Sequence, residues 1–369
     1  MAMPPPLPDK QYSKKISSDK KLLIGCGIGC GTIIILAIVA VAIGAWWFFS
    51  SEDQAPTNRI LNKDSASAFR LEDISKNREA MQLISDLFKE AQRVDRKEFS
   101  EQLPESFKKF KNYFEGQQDP SQFIKWFTPK EVTVTMSLDE AGDTVFVLAA
   151  NFGAGTRIGK MFLNAAFKND EHLKGKKIST DHGELFLFDR NNDWNNSKSQ
   201  QNIIGFYKGT LIISNDTKSA LSALDLLAEE NNTGKLSETL SGPFYQLSQK
   251  GHLAYGVVEG PFFIKPDFEP GLFMGEIGSE MKRAEIYLDK LSSENGILNL
   301  RINWNNKEFA SMINERIVKF KPELIKKAEQ NGFDLEITNI LNDDQLDIQF
   351  RVNGLKDSLS AVFEIQDID

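Results

Sequence analysis

From Leu22 to Ser51 the chain carries no charged residue, and this run limits the protein more than any other feature. An α-helix rises about 1.5 Å per residue, so about 20 residues cross a hydrocarbon core of about 30 Å. The run has length to spare and can tilt. Lys10, Lys14, Lys15, Lys20 and Lys21 stand before it, and Glu52 and Asp53 follow it. Lysines on one flank place the N-terminus in the cytoplasm. Trp46, Trp47, Phe48 and Phe49 then fall at the outer interface, where amphipathic rings are favoured. The expectation is a single-pass signal-anchor helix over 22–50, with the bulk of the chain extracytoplasmic.

Two rival readings of this segment fit less well. Ala40-Val41-Ala42 offers small residues for leader cleavage, but the apolar run continues past it to Phe49 and the leader of 21 residues is long. Leu23-Ile24-Gly25-Cys26 mimics a lipoprotein signal, yet here the apolar stretch follows the cysteine instead of preceding it. Gly25 and Gly29, and Gly27 and Gly31, are each four apart, a spacing that lets two helices approach closely. Self-association in the membrane through these glycines is the functional reading. The alternative is that glycine is simply common in such helices.

Charge divides unevenly along the chain. The formal net charge is −8, the first 51 residues carry +3, and the remainder therefore carries −11. An acidic ectodomain repels phosphate backbones, so nucleic acid is not expected as a partner. Both cysteines, Cys26 and Cys30, lie in the apolar run, so the rest of the chain has neither a disulfide nor a thiolate nucleophile. With only His172, His182 and His252 beside them, a zinc site of His and Cys is not expected, and no cofactor is assigned.

Periodicity divides the remainder. Residues 1–21 read as a disordered, proline-rich cytoplasmic tail and 51–66 as a linker. Ile84, Leu87, Phe88 and Ala91 recur at helical spacing, and further helices are expected over 97–114 and 121–127, so 67–128 reads as a helical stalk. A hairpin then follows, Val132–Met136 with Thr144–Asn151 across Asp139–Gly142. Next come a helix from Thr156 and strands at 177–180, 184–188, 203–207 and 210–214. Asp216-Thr217 opens a helix with Leu221, Leu224 and Leu227 on one face. The second half shows a hairpin across Ser292–Asn295, a helix over 307–330, a hairpin across Asn342–Asp344 and a last helix near Leu355. The expected fold class is α+β: a transmembrane helix, a helical stalk, then antiparallel sheets with packed helices in two ββαββα-like halves, 129–250 and 251–369.

Few segments carry recognisable chemistry. Phe152 to Lys160 is glycine-rich and leaves a strand for a helix, where phosphates bind. A Walker loop fails there at Ala154 and Met161, and the Rossmann spacing places its third glycine one residue late. Asp181-His182 has no G-x-S-x-G elbow to complete a hydrolase triad and reads as a turn. Asp343-Asp344 also occupies a turn. Asn195, Asn215 and Asn231 each open an N-x-[ST] triplet, an acceptor pattern only in a eukaryotic secretory pathway. Pro261–Met274 places Phe262, Phe263, Phe268 and Phe273 among three prolines, so it is neither a regular strand nor a helix. One reading is an apolar lip that grips a ligand or partner. The other is a linker tucking its rings into the core.

Two stretches carry a resemblance: Lys20 through Gly31 at the start of the apolar run, and Gly205 through Ser214 followed by the helix from Thr217. They resemble a class of bacterial single-pass envelope proteins of unknown function. That resemblance implies a bacterial source and a non-enzymatic role. The expected function is a membrane-tethered extracytoplasmic domain with a binding or structural role in the cell envelope. Its partners are the bilayer, through Leu22–Phe49, and a protein partner or a second copy. A module for a lipid or other apolar ligand with the phenylalanines at its mouth is the second reading. A carboxylate-dependent hydrolase, needing only two facing carboxylates, is the third.

Overall fold

The computed structural model describes residues 55–72, 76–93, 128–152, 176–189, 201–260, 279–330 and 332–356, with isolated positions from 156 to 164 and Phe262. Leu22–Phe49, with Gly25, Gly27, Gly29 and Gly31, lies outside them, as do the helices expected over 97–114 and 121–127. Among the described residues no helix is long and apolar enough to cross a membrane.

Twelve strands form one continuous antiparallel sheet, not the separate sheets of two α+β halves. In chain order they are β1 (Ser67–Leu71), β2 (Glu131–Leu138), β3 (Thr144–Asn151), β4 (Lys176–Ser179), β5 (Glu184–Asp189) and β6 (Gln201–Tyr207). Then come β7 (Thr210–Ser214), β8 (Ala254–Glu259), β9 (Met281–Leu291), β10 (Asn295–Trp304), β11 (Asp334–Asn342) and β12 (Gln345–Asn353). The order across the sheet is β11-β12-β10-β9-β8-β1-β2-β3-β7-β6-β5-β4. Among the described residues the α-helices with full bounds are α1 (Arg78–Arg93), α2 (Thr217–Ala228), α3 (Glu238–Gln249) and α4 (Lys307–Gln330). Positions 156, 157, 159–161 and 164 are also helical.

The expected α+β fold with its stalk is corrected at one place above all. Ser67–Leu71 falls in the expected helical stalk, yet it is a strand at the middle of the sheet. β1 pairs with β2 on one side, Phe69 opposite Val134, and with β8 on the other, Phe69 opposite Gly256. This pairing joins the two arms into one sheet. A five-residue strand is too short to show a period, and its central position is set by partners about 65 and 185 residues away. The expected helix around Ile84 is present as α1, with Ala80 and Leu83 buried.

Helices cover opposite faces of the sheet. Ala149, Ile212, Ile203 and Leu185 lie on one face of β3, β7, β6 and β5, and α2 buries Ala220, Ala223, Leu224 and Leu227 against them. α2 starts where Asp216 accepts a hydrogen bond from the Ser219 amide at 2.7 Å, satisfying one free donor of the first turn. α3 lays Leu240, Phe244 and Leu247, at i, i+4 and i+7, on Ala68, Tyr255 and Val257 of the same face. Across β8 and β9, Val257 pairs with Glu285, so the neighbouring Ala284 points to the other side. There α4 packs Ala310 and Ile313 over Ala284, Ile302, Leu346 and Ile337. Each fully buried leucine or isoleucine contributes about 1.5–3 kcal/mol.

At the far edge, Lys177 and Lys160 approach the Glu184 carboxylate at 2.8 and 3.0 Å. The Lys177 hydrogen bond, followed by Lys160, holds that carboxyl below its ordinary value of 4.5. A lowered folded value means stability gained above the unfolded pKa and lost as pH falls through the folded one. The advantage of the native chain over Glu184→Gln is therefore expected above about pH 4.5 and to vanish at lower pH. Urea midpoints of both chains between about pH 3 and 6 measure this. An advantage that does not change with pH would refute it.

Candidate functional site

A groove of about 770 Å³ lies over β1 and β8. That volume falls within the range of small-ligand sites, about 300–1,000 Å³. Three segments distant in sequence build it: the turn after Thr57–Ile60, the loop at 233–236, and α3.

The first two segments hold each other through the backbone. Lys235 donates its amide to the Leu61 carbonyl at 3.1 Å, and the Asn58 side chain donates to the Thr233 carbonyl at 3.3 Å. Asn232 donates to the Arg59 carbonyl at 3.0 Å, while Arg59 caps α2 through the Leu227 carbonyl at 2.9 Å. Gly234 lies between them at φ +71, where an added Cβ would stand 2.1 Å from the Asn58 carbonyl oxygen. Only glycine permits this closure.

α3 presents two sides. Leu240, Phe244 and Leu247 face the sheet, while Ser241, Tyr245 and Ser248, again at i, i+4 and i+7, open onto the groove. Tyr245 is 65% exposed. Pro243 lacks an amide hydrogen and removes one bond from the middle of the helix.

Arg70 and Tyr255 form the floor. Tyr255 packs its ring on Phe244 at 5.1 Å and donates its hydroxyl to Glu72 at 2.9 Å. Burial first, then the Glu72 hydrogen bond, push this phenol far up, so it stays protonated and serves as a donor. Arg70 lies between Glu72 at 3.3 Å and Glu131 at 3.6 Å. Lys63 and Lys235 stand exposed at the rim, and among the described residues neither has a carboxylate partner. Among the described residues no carboxylate lines the groove. In a domain of net charge −11, this is a local positive site with aromatic walls.

Other constellations do not assemble chemistry of this kind. On β9, β10 and β12, Arg301 reaches Asp347 at 2.7 Å and the buried Glu285 at 3.8 Å. The Asp347 hydrogen bond holds the Arg301 guanidinium firmly charged. Asp289 accepts from Asn299 at 2.6 Å and lies 2.5 Å from His252 Nδ1, with the Tyr287 ring 4.5 Å from the imidazole. His252 thus has the companion that linear spacing did not show. Its Nε2 is buried without a partner among the described residues, so none of their hydroxyls completes the pair. A smaller apolar cavity of about 160 Å³ lies on the opposite face, among Phe69, Val132, Val134, Ile286 and Leu298.

The sites expected from sequence fare differently. Lys160 is held by Glu184, so the glycine-rich segment does not present a free phosphate-binding lysine. Asp181-His182-Gly183 is a turn in which Thr180 Oγ1 accepts from both the His182 and Gly183 amides. Asp343 turns β11 into β12 and pairs with Lys307. Asn215 bonds β3 through the Phe146 amide at 2.9 Å. Phe262 is half-buried, whereas Phe263, Phe268 and Phe273 lie outside the described residues. Sequence reasoning did not find Lys63, Arg70, Lys235, Tyr245 or Tyr255. No periodicity links residues from three segments, and α3 was missed because Gly242-Pro243 interrupts its pattern.

No protein-family model matches the chain, and comparison with curated proteins gives no match. The fold and the groove therefore carry the functional reading alone.

Proposed function

We propose that this protein is a membrane-tethered extracytoplasmic binding domain, anchored by Leu22–Phe49, whose groove takes a small anionic ligand with an apolar or aromatic body. One observation carries the choice of ligand: among the described residues Lys63 and Lys235 lack carboxylate partners at the mouth of a groove onto which the Tyr245 ring opens. Exposed ammonium groups at the rim attract an anion, and the exposed Tyr245 ring adds stacking area. A binding role accounts for this better than hydrolysis, because Glu72 and Glu131, the carboxylates that meet the floor, are both turned on Arg70. The cell envelope is the compartment that the lysine flank and the apolar run imply.

Anilinonaphthalene sulfonate, an aromatic anion, serves as the probe. The full chain in mild detergent is expected to bind it saturably. Lys63→Glu and Lys235→Glu are each expected to weaken binding about 5- to 10-fold, or about 1–1.4 kcal/mol. Raising the salt should weaken binding to the native chain as well. Fluorescence titration reads all of these. Unchanged affinity in the double variant would remove the groove from consideration. Recovery of the chain in the soluble fraction without detergent would remove the tether.

A further inference from the structure

Three of the eight large apolar side chains that stand exposed among the described residues fall within seven positions of α4: Val318 at 53%, Phe320 at 51% and Leu324 at 48%. The first half of this helix is anchored by Ala310 and Ile313, both buried on the sheet, whereas these three are uncovered. The same stretch is the most basic part of the folded unit. From Arg316 to Lys327 it carries Arg316, Lys319, Lys321, Lys326 and Lys327 against Glu323 alone. Glu323 is occupied by Lys327 at 3.3 Å, one turn away. Among the described residues Lys319, Lys321 and Lys326 have no carboxylate partner.

Spacing places the two chemistries together. Arg316, Phe320, Leu324 and Lys327 recur at i, i+4, i+8 and i+11, so one flank of α4 carries two apolar side chains bracketed by cations. An acidic domain would repel an anionic surface everywhere except at such a patch. Helices that lie in a bilayer interface combine these features: Phe and Leu to enter the headgroup boundary, and Lys and Arg to meet its phosphates.

We infer that the second half of α4 docks on an anionic lipid surface, with Phe320 and Leu324 inserted and the flanking lysines on the headgroups. The inference rests on the tethered reading above and is independent of the groove. Tethering a weak contact raises its effective concentration, so a small patch suffices to hold the domain down. Each lysine near an anionic surface adds a gain that falls off within a Debye length.

The test uses the full chain with Cys26→Ser and Cys30→Ser, carrying Phe320→Cys labelled with an environment-sensitive nitrobenzoxadiazole. It is reconstituted in nanodiscs of phosphatidylcholine, with or without phosphatidylglycerol. Docking predicts emission several-fold brighter in the anionic discs than in the neutral ones. The gain is lost at about 1 M salt, where the Debye length is about 3 Å, and in the Lys319→Glu, Lys326→Glu variant. The same label at Glu329→Cys stays dim, and unchanged circular dichroism reports an intact helix. Aqueous emission at position 320 in both discs overturns the inference. So does a bright signal that requires two copies per disc, which indicates self-association. Failure of the chain to enter discs strikes the tether alone. The label is then read on added vesicles of the same two compositions, with the same expected difference.

Discussion

Trp304→Ala is expected to destabilise the folded unit by about 3–5 kcal/mol, the largest effect of any single substitution argued for this protein. Trp304 is 1% exposed at the end of β10, directly before α4 begins. Its ring packs on Phe309 of that helix at 5.3 Å, and its amide donates to the Asp344 carbonyl at 2.9 Å. The side chain therefore joins the helix, the β10 strand and the β11–β12 turn. Truncation removes the transfer energy of an indole and leaves a cavity that three elements cannot close together. Among the described residues the buried indole Nε1 has no hydrogen-bond partner, which costs stability. Trp304→Phe should therefore lose much less than Trp304→Ala, since it keeps most of the packing and removes the unpaired donor. Urea unfolding of both variants in mild detergent, followed by circular dichroism, checks this. Equal losses would show that the ring's volume is not what matters.

Gly256→Ala is expected to cost about 2–3 kcal/mol, at the upper end of overpacking substitutions. Gly256 lies opposite Phe69 where β1 meets β8, and the Phe69 ring rests on it. An added Cβ would stand 2.0 Å from Cδ1, 2.6 Å from Cε1 and 2.8 Å from Cγ of that ring. No small rotation relieves three such contacts, so the ring must leave its place. Among the described strands the β1–β8 pair joins the two arms of the sheet, so strain here weakens the whole unit. Pairing Gly256→Ala with Phe69→Val should recover part of the loss, because the two residues share one space. A double variant no more stable than the sum of the single losses would contradict this account.

Much of the sheet was legible in the sequence. The hairpins β2–β3, β9–β10 and β11–β12 follow from alternation bounded by turn residues such as Asp139, whose side chain accepts from the Ala141 and Asp143 amides. α4 follows from its long period, and α2 from the Asp216 cap. Local chemistry fixes each of these within about 20 residues, so a linear reading reaches them. What was not legible is β1, β8, α3 and the groove. Each depends on contacts between segments far apart in the chain. Ala68 is buried only because α3 lies over it, and Lys63 and Lys235 become neighbours only because Leu61 accepts from the Lys235 amide.

By itself, then, the sequence determined where the chain is apolar and uncharged, where its charge lies, and which short segments are strands or helices. Those properties depend on residue type and near-neighbour spacing. Only the tertiary structure decided that the strands make one sheet and that a segment read as stalk is its keystone. It also decided that unpaired lysines meet aromatic rings in a groove. Strand partners and cavity walls are chosen by burial energy summed over the whole chain, and no window of sequence contains that sum.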